Sequence, residues 1–396
     1  MNPEHKQAIV VGAGLAGAAA ARALAERGWQ VNVLEMAEAL GHGGSGVPVG
    51  VMSCHVSVDD NPLSQLTRQG MQRTRRFAQT HLEEGVDWLG NGVLERRLSP
   101  GGVDKKPWQE PAADNIWHGH VQLATAEQMA QAGLAASSTQ ALWQAQGAWI
   151  KPQALVQALL KHNNILVVTR AEVESMQRHA SGEWQLRVKN HISIPNMGSS
   201  HTYSTETAPH VVLALGAHTP DFLNQVLNVD HMGLHPIAGM VSWGLQKDAT
   251  PLPPFAVNGH GSFVSGVPTP DGLAWYTGAT FERNAMKAAS DEAAHNDNQQ
   301  RLAELLPVVE AQLQTQFADA AHLKSWGGVR CASVNRMPKV GPLDEAQFPG
   351  LHLLTAMGSR GLTLSLLCAD VLAAQMEKSK PPVSESLLKA MRCQLV

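Results

Sequence analysis

The first apolar run, Ala8 to Val11, is short, largely β-branched and free of polar interruption, the pattern of a strand buried on both faces. An alanine-rich stretch of strong helix formers follows up to Arg27, and Gly28 stands where a helix-ending glycine belongs. A second strand pattern, Gln30 to Glu35, ends in an acid. Leu66, Gly70, Thr74, Phe77 and His81 recur at three- and four-residue spacing, which predicts a helix from Leu63 to Leu82. Gly92 to Leu98 and Leu142 to Ile150 read as strands, the second interrupted by Gly147, and 99–118 as loop. Thr125 with Gln128 three residues later is a capping-box signature, and Pro152 opens a further helix. Ile165 to Thr169, Val173 to Met176 and Trp184 to Val188 are strand material, 189–208 a polar hairpin or loop, and 210–218 a second buried strand ending in glycine.

Residues 235–282 hold several strand patterns that predict a mostly antiparallel sheet able to floor an active site. Glu292 to Phe317 is helical, with Pro307 expected to kink or break it. Leu351 to Ala356 is an apolar strand, 358–363 a glycine-bounded turn, and Leu364 to Met376 an apolar helix. The strand and helix patterns at the two ends of the chain predict one discontinuous α/β domain, 1–84, 151–225 and 326–396. A second domain, 85–150 and 226–325, is inserted into it as a substrate cap.

Composition narrows the class. The 396 residues hold about two domains' worth of core, and 44% hydrophobic against 16% charged residues exclude a disordered chain. The polar start MNPEHKQ lacks a signal-peptide pattern, and no run of about eighteen apolar residues predicts a membrane span. Cys54, Cys331, Cys368 and Cys393 are far apart and form no C-x-x-C, which argues against a zinc site or a disulfide framework and fits the cytoplasm. The net charge of −4 recruits no polyanion globally, so any such partner must be held by local patches.

The candidate chemistry sits at two glycine turns. Gly12, Ala13, Gly14, Leu15, Ala16 and Gly17 form G-x-G-x-x-G between strand and helix. Gly12 serves the tight turn, Gly14 the approach of a pyrophosphate and Gly17 close helix–strand packing, with the helix N-terminus facing the phosphates. Glu35, 23 residues past Gly12, is placed to accept hydrogen bonds from a ribose. The loop 41–53 (GHGGSGVPVGVMS), with Gly44, Ser45 and Gly46, either wraps the dinucleotide or is a flexible surface loop. Gly358, Ser359, Arg360, Gly361, Leu362 and Thr363 form the second turn, which aims another helix N-terminus at a ligand. Arg68, Arg73, Arg75 and Arg76 form either a solvated face or a phosphate contact.

GAGLAG with Glu35, GGSGVPVG, VVLALGA, GVRCASVNRMPKVG and GSRGLT together resemble the D-amino-acid-oxidase-like superfamily of FAD-dependent oxidoreductases, over nearly the whole chain. GAWIKPQALVQAL, PIAGMVSW, TGATFER and HNDNQQRLAELLP make it most similar to the oxidoreductase part of the bifunctional tRNA 5-methylaminomethyl-2-thiouridine biosynthesis family. The resemblance implies a Rossmann-like FAD-binding domain with an inserted, mostly antiparallel substrate domain. It adds Val173, Ala214 and Gly216 to the cofactor residues, with the FAD non-covalent. It also implies removal of the carboxymethyl group from a carboxymethylaminomethyl-uridine at the tRNA wobble position, by hydride transfer to the flavin and hydrolysis of the imine.

The substrate carboxylate needs a cationic fork, for which Arg330 and Arg336 are candidates, with Arg360 near the flavin turn. His235 and His55 are conceivable bases, but amine oxidation needs only the free-base amine. The chain departs from the family at Ala238 and Met240, where P-x-R-G-Q reads P-I-A-G-M. It departs again at Val334-Asn335-Arg336-Met337-Pro338, in place of R-D-H-L-P. No methyltransferase domain precedes Met1, so methylation is expected from a separate protein. A tRNA substrate predicts a basic rim drawn from Arg73, Arg75, Arg76, Arg96, Arg97, Lys105 and Lys106. The alternatives are an oxidase of a small free amino acid such as glycine or sarcosine, with a closed pocket, and a flavin-fold binding protein without turnover.

Overall fold

The computed structural model describes residues 6–98, 119–135, 141–194, 198–230, 232–246, 251–319 and 322–393. The chain divides into two compact units. The first comprises 1–46, 152–237 and 329–396, and the second 47–151 and 238–328.

The first unit is built on a six-stranded sheet in the order Lys339–Pro342, Leu351–Thr355, His210–Leu213, Gln7–Val11, Gln30–Leu34, Ile165–Val168. All neighbours run parallel except Lys339–Pro342 against Leu351–Thr355. Parallel strands buried on both faces need continuous apolar runs. Gln7–Val11 accordingly has only its first residue exposed, and Leu351–Thr355 is buried throughout. Leu15–Ala25 and Gly361–Met376 are helices of small and aliphatic residues, the second buried at nearly every position.

The segment 189–208, read from sequence as hairpin or loop, is a long hairpin of Trp184–Ile194 and Gly198–Ala208 that pairs onto Ala171–Arg178. Its inner residues Trp184, Leu186, Val188 and Ala208 join the apolar core beneath the parallel sheet.

A nine-stranded sheet, mostly of second-unit residues, runs from Glu282–Arg283 through Leu234–Leu245, Gly272–Gly278, Gly261–Thr269, Ala256–Gly259, Val93–Arg96 and Ala141–Gln144 to Gln122–Leu123. Lys324–Ser333 is attached to Leu234–Leu245. From Leu234–Leu245 onward the neighbours are antiparallel except for the parallel pair Ala256–Gly259 and Val93–Arg96. The expected helix to Phe317 is two helices, Asp291–Leu305 and Pro307–Phe317, broken at Leu306 because Pro307 has no N–H to continue the ladder. Fully buried Asn298 fastens the first of them to the sheet, its amide donating to the Met240 carbonyl at 2.9 Å and to Ser242 Oγ at 3.0 Å. Thr125 and Gln128 form the capping box their spacing predicts.

Residues 47–84, expected with the first unit, group with the second. The segment is tied there through Cys54, whose N–H donates to Gln144 Oε1 at 2.8 Å, and through Arg75 on the helix Pro62–His81, which donates to the Gln146 carbonyl at 3.1 Å. Residues 226–237 group with the first unit instead, where Val229, Met232 and Leu234 enter its core.

At the start of Leu351–Thr355, His352 is 3% exposed, and its Nε2 lies in hydrogen-bond contact with His210 Nδ1 at 3.3 Å. Burial, then the charge of His210, pushes its pKa down to about 3. The unfolded chain therefore binds more protons between pH 6.5 and 3, so the stability this group contributes is present above pH 6.5 and lost as the pH falls. Wild-type protein should lose roughly 2 kcal/mol more stability between pH 7 and pH 5 than His352→Gln, measured by denaturant unfolding at each pH.

Candidate functional site

Two strand–turn–helix junctions of the first unit lie side by side. Gln7–Val11 sits between Gln30–Leu34 and His210–Leu213, where connections leave in opposite directions, the crevice in which open α/β sheets bind ligands. Gly12 takes φ +104°, and a Cβ on it would lie 2.6 Å from the Ala214 carbonyl oxygen. A Cβ on Gly17 would lie 1.8 Å from the Gly12 oxygen. These two glycines are demanded by the chain's own packing. Gly14 differs: a Cβ there would lie 3.1 Å from Ser45 Oγ, a tight contact with a side chain, so its small size makes room for Ser45 against the turn. Such a cradle, with first-turn N–H groups lacking intrahelical acceptors, fits the pyrophosphate of a dinucleotide.

Glu35 is 8% exposed, and its carboxylate accepts from the Ala13 N–H at 2.7 Å and the Ala37 N–H at 2.9 Å. The acid thus also braces the turn it was expected to serve from a distance. Ser45 has a similar double role: its Oγ accepts from the Leu15 N–H at 3.0 Å and caps the helix from another loop. Sequence spacing gave no sign of that cap, nor of the Gly41 N–H bonding to the Ala13 carbonyl at 3.1 Å. The Gly44–Gly46 turn lies against the backbone of the arginine segment, since a Cβ on Gly44 would be 2.8 Å from the Val329 oxygen and 3.9 Å from Arg330 Cα.

The second turn closes on the first. A Cβ on Gly361 would lie 3.2 Å from Leu15 Cδ1. Gly358 (φ +55°) and Gly216 (φ +54°) both have open space where a Cβ would stand. Ser359 is exposed and Arg360 half-buried, whereas Leu362 and Thr363 turn their side chains into the core. Those two can offer a ligand only backbone groups. Ala214 donates its N–H to the Val11 carbonyl at 2.9 Å. Val173 is packed against the core in the strand that begins at Ala171, whose N–H donates to the Glu35 carbonyl at 2.8 Å.

The three arginines fare differently. Arg330 is half-buried, and desolvation pulls its pKa below the usual arginine value. A guanidinium so placed favours an anionic ligand in bidentate geometry. Arg336 stands on an exposed tip, 334–336, with left-handed backbone (φ +59°), held by Ser333 Oγ donating to Asn335 Oδ1 at 2.8 Å and to the Met337 carbonyl at 2.6 Å. Cys331, next to Arg330, is a core residue whose thiol pKa is raised by burial, which suits packing and not nucleophilic attachment.

The expected basic rim needs correction. Arg75 donates to the Gln146 and Gly90 carbonyls and lies over the Trp88 ring. Arg96 is 7% exposed and caps the end of Asp291–Leu305 by donating to the Glu304 and Leu305 carbonyls. Arg97 donates to the Val56 carbonyl at 2.8 Å and lies 3.8 Å from Glu95. These guanidinium groups serve packing, because carbonyls distant in sequence meet them first. Arg73 is half-buried, Arg76 is exposed, and Lys105 and Lys106 lie outside the described residues. In the second unit, sequence had flagged 235–282 as a possible floor. There Trp243 and Tyr276 stack across paired strands with centroids 5.4 Å apart, and Lys324 Nζ lies 4.7 Å from the centre of the Trp243 ring. Burial pushes the Tyr276 phenol up to about 12.

Among the described residues no group of three or more His, Cys, Asp or Glu could hold a metal, and no helix is long and apolar enough to cross a membrane. A family model, the FAD dependent oxidoreductase model DAO, matches residues 7–375. The tRNA 5-methylaminomethyl-2-thiouridine biosynthesis bifunctional protein MnmC of Verminephrobacter eiseniae is 38% identical over 413 residues, covering 97% of this chain and 63% of that protein. The protein of the same name from Delftia acidovorans is 40% identical over 405 residues, covering 98% and 60%. The chain therefore spans about three fifths of the length of the curated relatives it matches. Among solved structures, glycine oxidase from Geobacillus kaustophilus shares the fold at a TM-score of 0.72 and 20% identity, with 98% of each chain covered. With both glycine turns inside the matched span and nearly the full length aligned, the chain belongs to the DAO family of FAD-dependent oxidoreductases.

Proposed function

We propose that this protein oxidises the secondary amine of carboxymethylaminomethyl-uridine, or its 2-thio form, at the wobble position of tRNA, leaving the aminomethyl-uridine. The observation that carries this reading is the 38–40% identity to proteins named for tRNA 5-methylaminomethyl-2-thiouridine biosynthesis, sustained over 97–98% of the chain. The glycine-oxidase likeness is far more distant in sequence.

FAD, when bound, supplies the two-electron acceptor for the substrate's α C–H. Gly12, Gly14, Gly17 and the first turn of Leu15–Ala25 would hold its pyrophosphate, and the second turn at 358–361 would approach it from the other side. Glu35 keeps the first turn in shape through Ala13 and Ala37 and has lone pairs left for a ribose hydroxyl. Arg330 would bind the carboxylate of the group to be removed and so fix which C–H is presented. The amine enters as the free base, and the resulting imine hydrolyses to the primary amine and an oxo acid. The reaction belongs to the cytoplasm, where tRNA is modified, and methylation of the product falls to a methyltransferase.

The test is incubation of the flavin-loaded protein, without oxygen, with tRNA carrying the carboxymethylaminomethyl group and, separately, with glycine and sarcosine. Bleaching of the flavin together with appearance of aminomethyl-uridine in the digested tRNA is expected. Bleaching by the free amino acids alone would overturn the reading in favour of a small amino-acid oxidase.

A further inference from the structure

With Arg75, Arg96 and Arg97 of the expected rim spent on carbonyls, a loop of the second unit offers further chemistry for meeting an RNA. Residues 281–287 (FERNAMK) follow the strand Gly272–Gly278. Phe281 is 43% exposed and Met286 45%, large apolar groups that a chain otherwise buries. Arg283 and Lys287 are exposed, and the Arg283 guanidinium carbon lies 5.9 Å from the Phe281 ring centre. The loop is not shapeless. Glu282 Oε1 accepts from Thr280 Oγ1 and from the Ala289 N–H, each at 3.2 Å, and Asn284 takes a left-handed turn at φ +57°. The single acid of the loop is thereby turned to internal bonds, while the aromatic ring and both cations face out.

We infer that this loop is a docking surface for a single-stranded stretch of the tRNA substrate, with Phe281 and Arg283 stacking on an unpaired base and Arg283 and Lys287 meeting phosphates. The inference rests on the tRNA reading above. Unpaired bases are recognised by stacking on aromatic rings and guanidinium planes, with cations tracking the backbone. The wobble nucleotide lies in such an unpaired loop. On a chain of net charge −4, a small cationic–aromatic patch must do locally what global charge does not.

The experiment measures binding of a labelled anticodon stem-loop RNA to the flavin-loaded full chain, over a range of salt, for wild type, Phe281→Ala and Arg283→Ala/Lys287→Ala. Melting temperature and flavin content serve as controls for folding. Phe281→Ala should weaken binding about tenfold. The double variant should flatten the plot of log affinity against log salt by about 1.4, two single-strand phosphate contacts. Turnover of the free modified nucleoside should be unchanged in both.

Variants that match wild type in affinity and slope, while wild type still converts tRNA, would overturn the docking surface and leave the reaction standing. Equal losses toward a blunt RNA duplex would overturn single-strand recognition. A wild-type protein that neither binds nor converts tRNA would bring down the function reading and this inference together.

Discussion

Gly17→Ala should give a protein that no longer retains FAD. The new methyl carbon would lie 1.8 Å from the Gly12 carbonyl oxygen, 3.0 Å from the Gly12 carbonyl carbon and 3.3 Å from Val10 Cγ1. Two of those contacts are backbone, so no side-chain rotation relieves them. Either Leu15–Ala25 moves off the strand end or the Gly12 turn opens. Both destroy the cradle, and either costs on the order of 3–5 kcal/mol. The comparison is Gly28→Ala. That glycine ends the same helix at φ +81° with nothing within 4 Å of a Cβ, so the penalty there is backbone strain alone, about 1 kcal/mol. Flavin-to-protein ratio after purification and unfolding free energy together check the pair. The expectation is near-complete loss of flavin for Gly17→Ala and full occupancy for Gly28→Ala. A flavin-replete Gly17→Ala protein would show that the turn is not the binding element.

The same turn illustrates what a sequence can disclose. Gly12 and Gly17 are legible because a turn at φ +104° and a close helix are local requirements, although Ala214 and Ser45, distant in sequence, also crowd Gly12 and Gly14. The break at Pro307 and the cap at Thr125 are legible for the same reason. Roles decided by distant partners are not. Arg96 looks like a surface cation beside Arg97, yet its guanidinium meets the carbonyls of Glu304 and Leu305, more than two hundred residues away. Ser45 reads as loop filler until the fold sets it over the Leu15 N–H. Residues 47–84 follow the first turn in sequence but pack with the second unit, because Cys54 and Arg75 find their partners there, at Gln144 and Gln146.

Arg330→Ala should lower kcat/KM for the carboxymethylamine substrate by about 10²–10⁴, with flavin binding intact. The size follows from burial. The guanidinium is partly desolvated, its pKa is drawn down by that desolvation, and it follows the Val329 carbonyl that lies against Gly44. A substrate carboxylate meeting it would form a charge-assisted pair with little competition from water, and removing the cation leaves that carboxylate unpaired in the same place. Arg330→Lys should recover only part of the loss, since a single ammonium cannot make the two parallel bonds of a guanidinium. Even with its pKa lowered, arginine stays protonated at any pH the protein survives, so the pH profile of the wild type should carry no inflection from this residue. The decisive comparison uses an amine substrate of similar size without the carboxylate. If Arg330 reads the carboxylate, wild type and Arg330→Ala should turn that substrate over at similar rates. An equal loss on both substrates would mean that the arginine shapes the site without recognising the group to be removed, and the carboxylate receptor would have to be sought at Arg360 in the second turn.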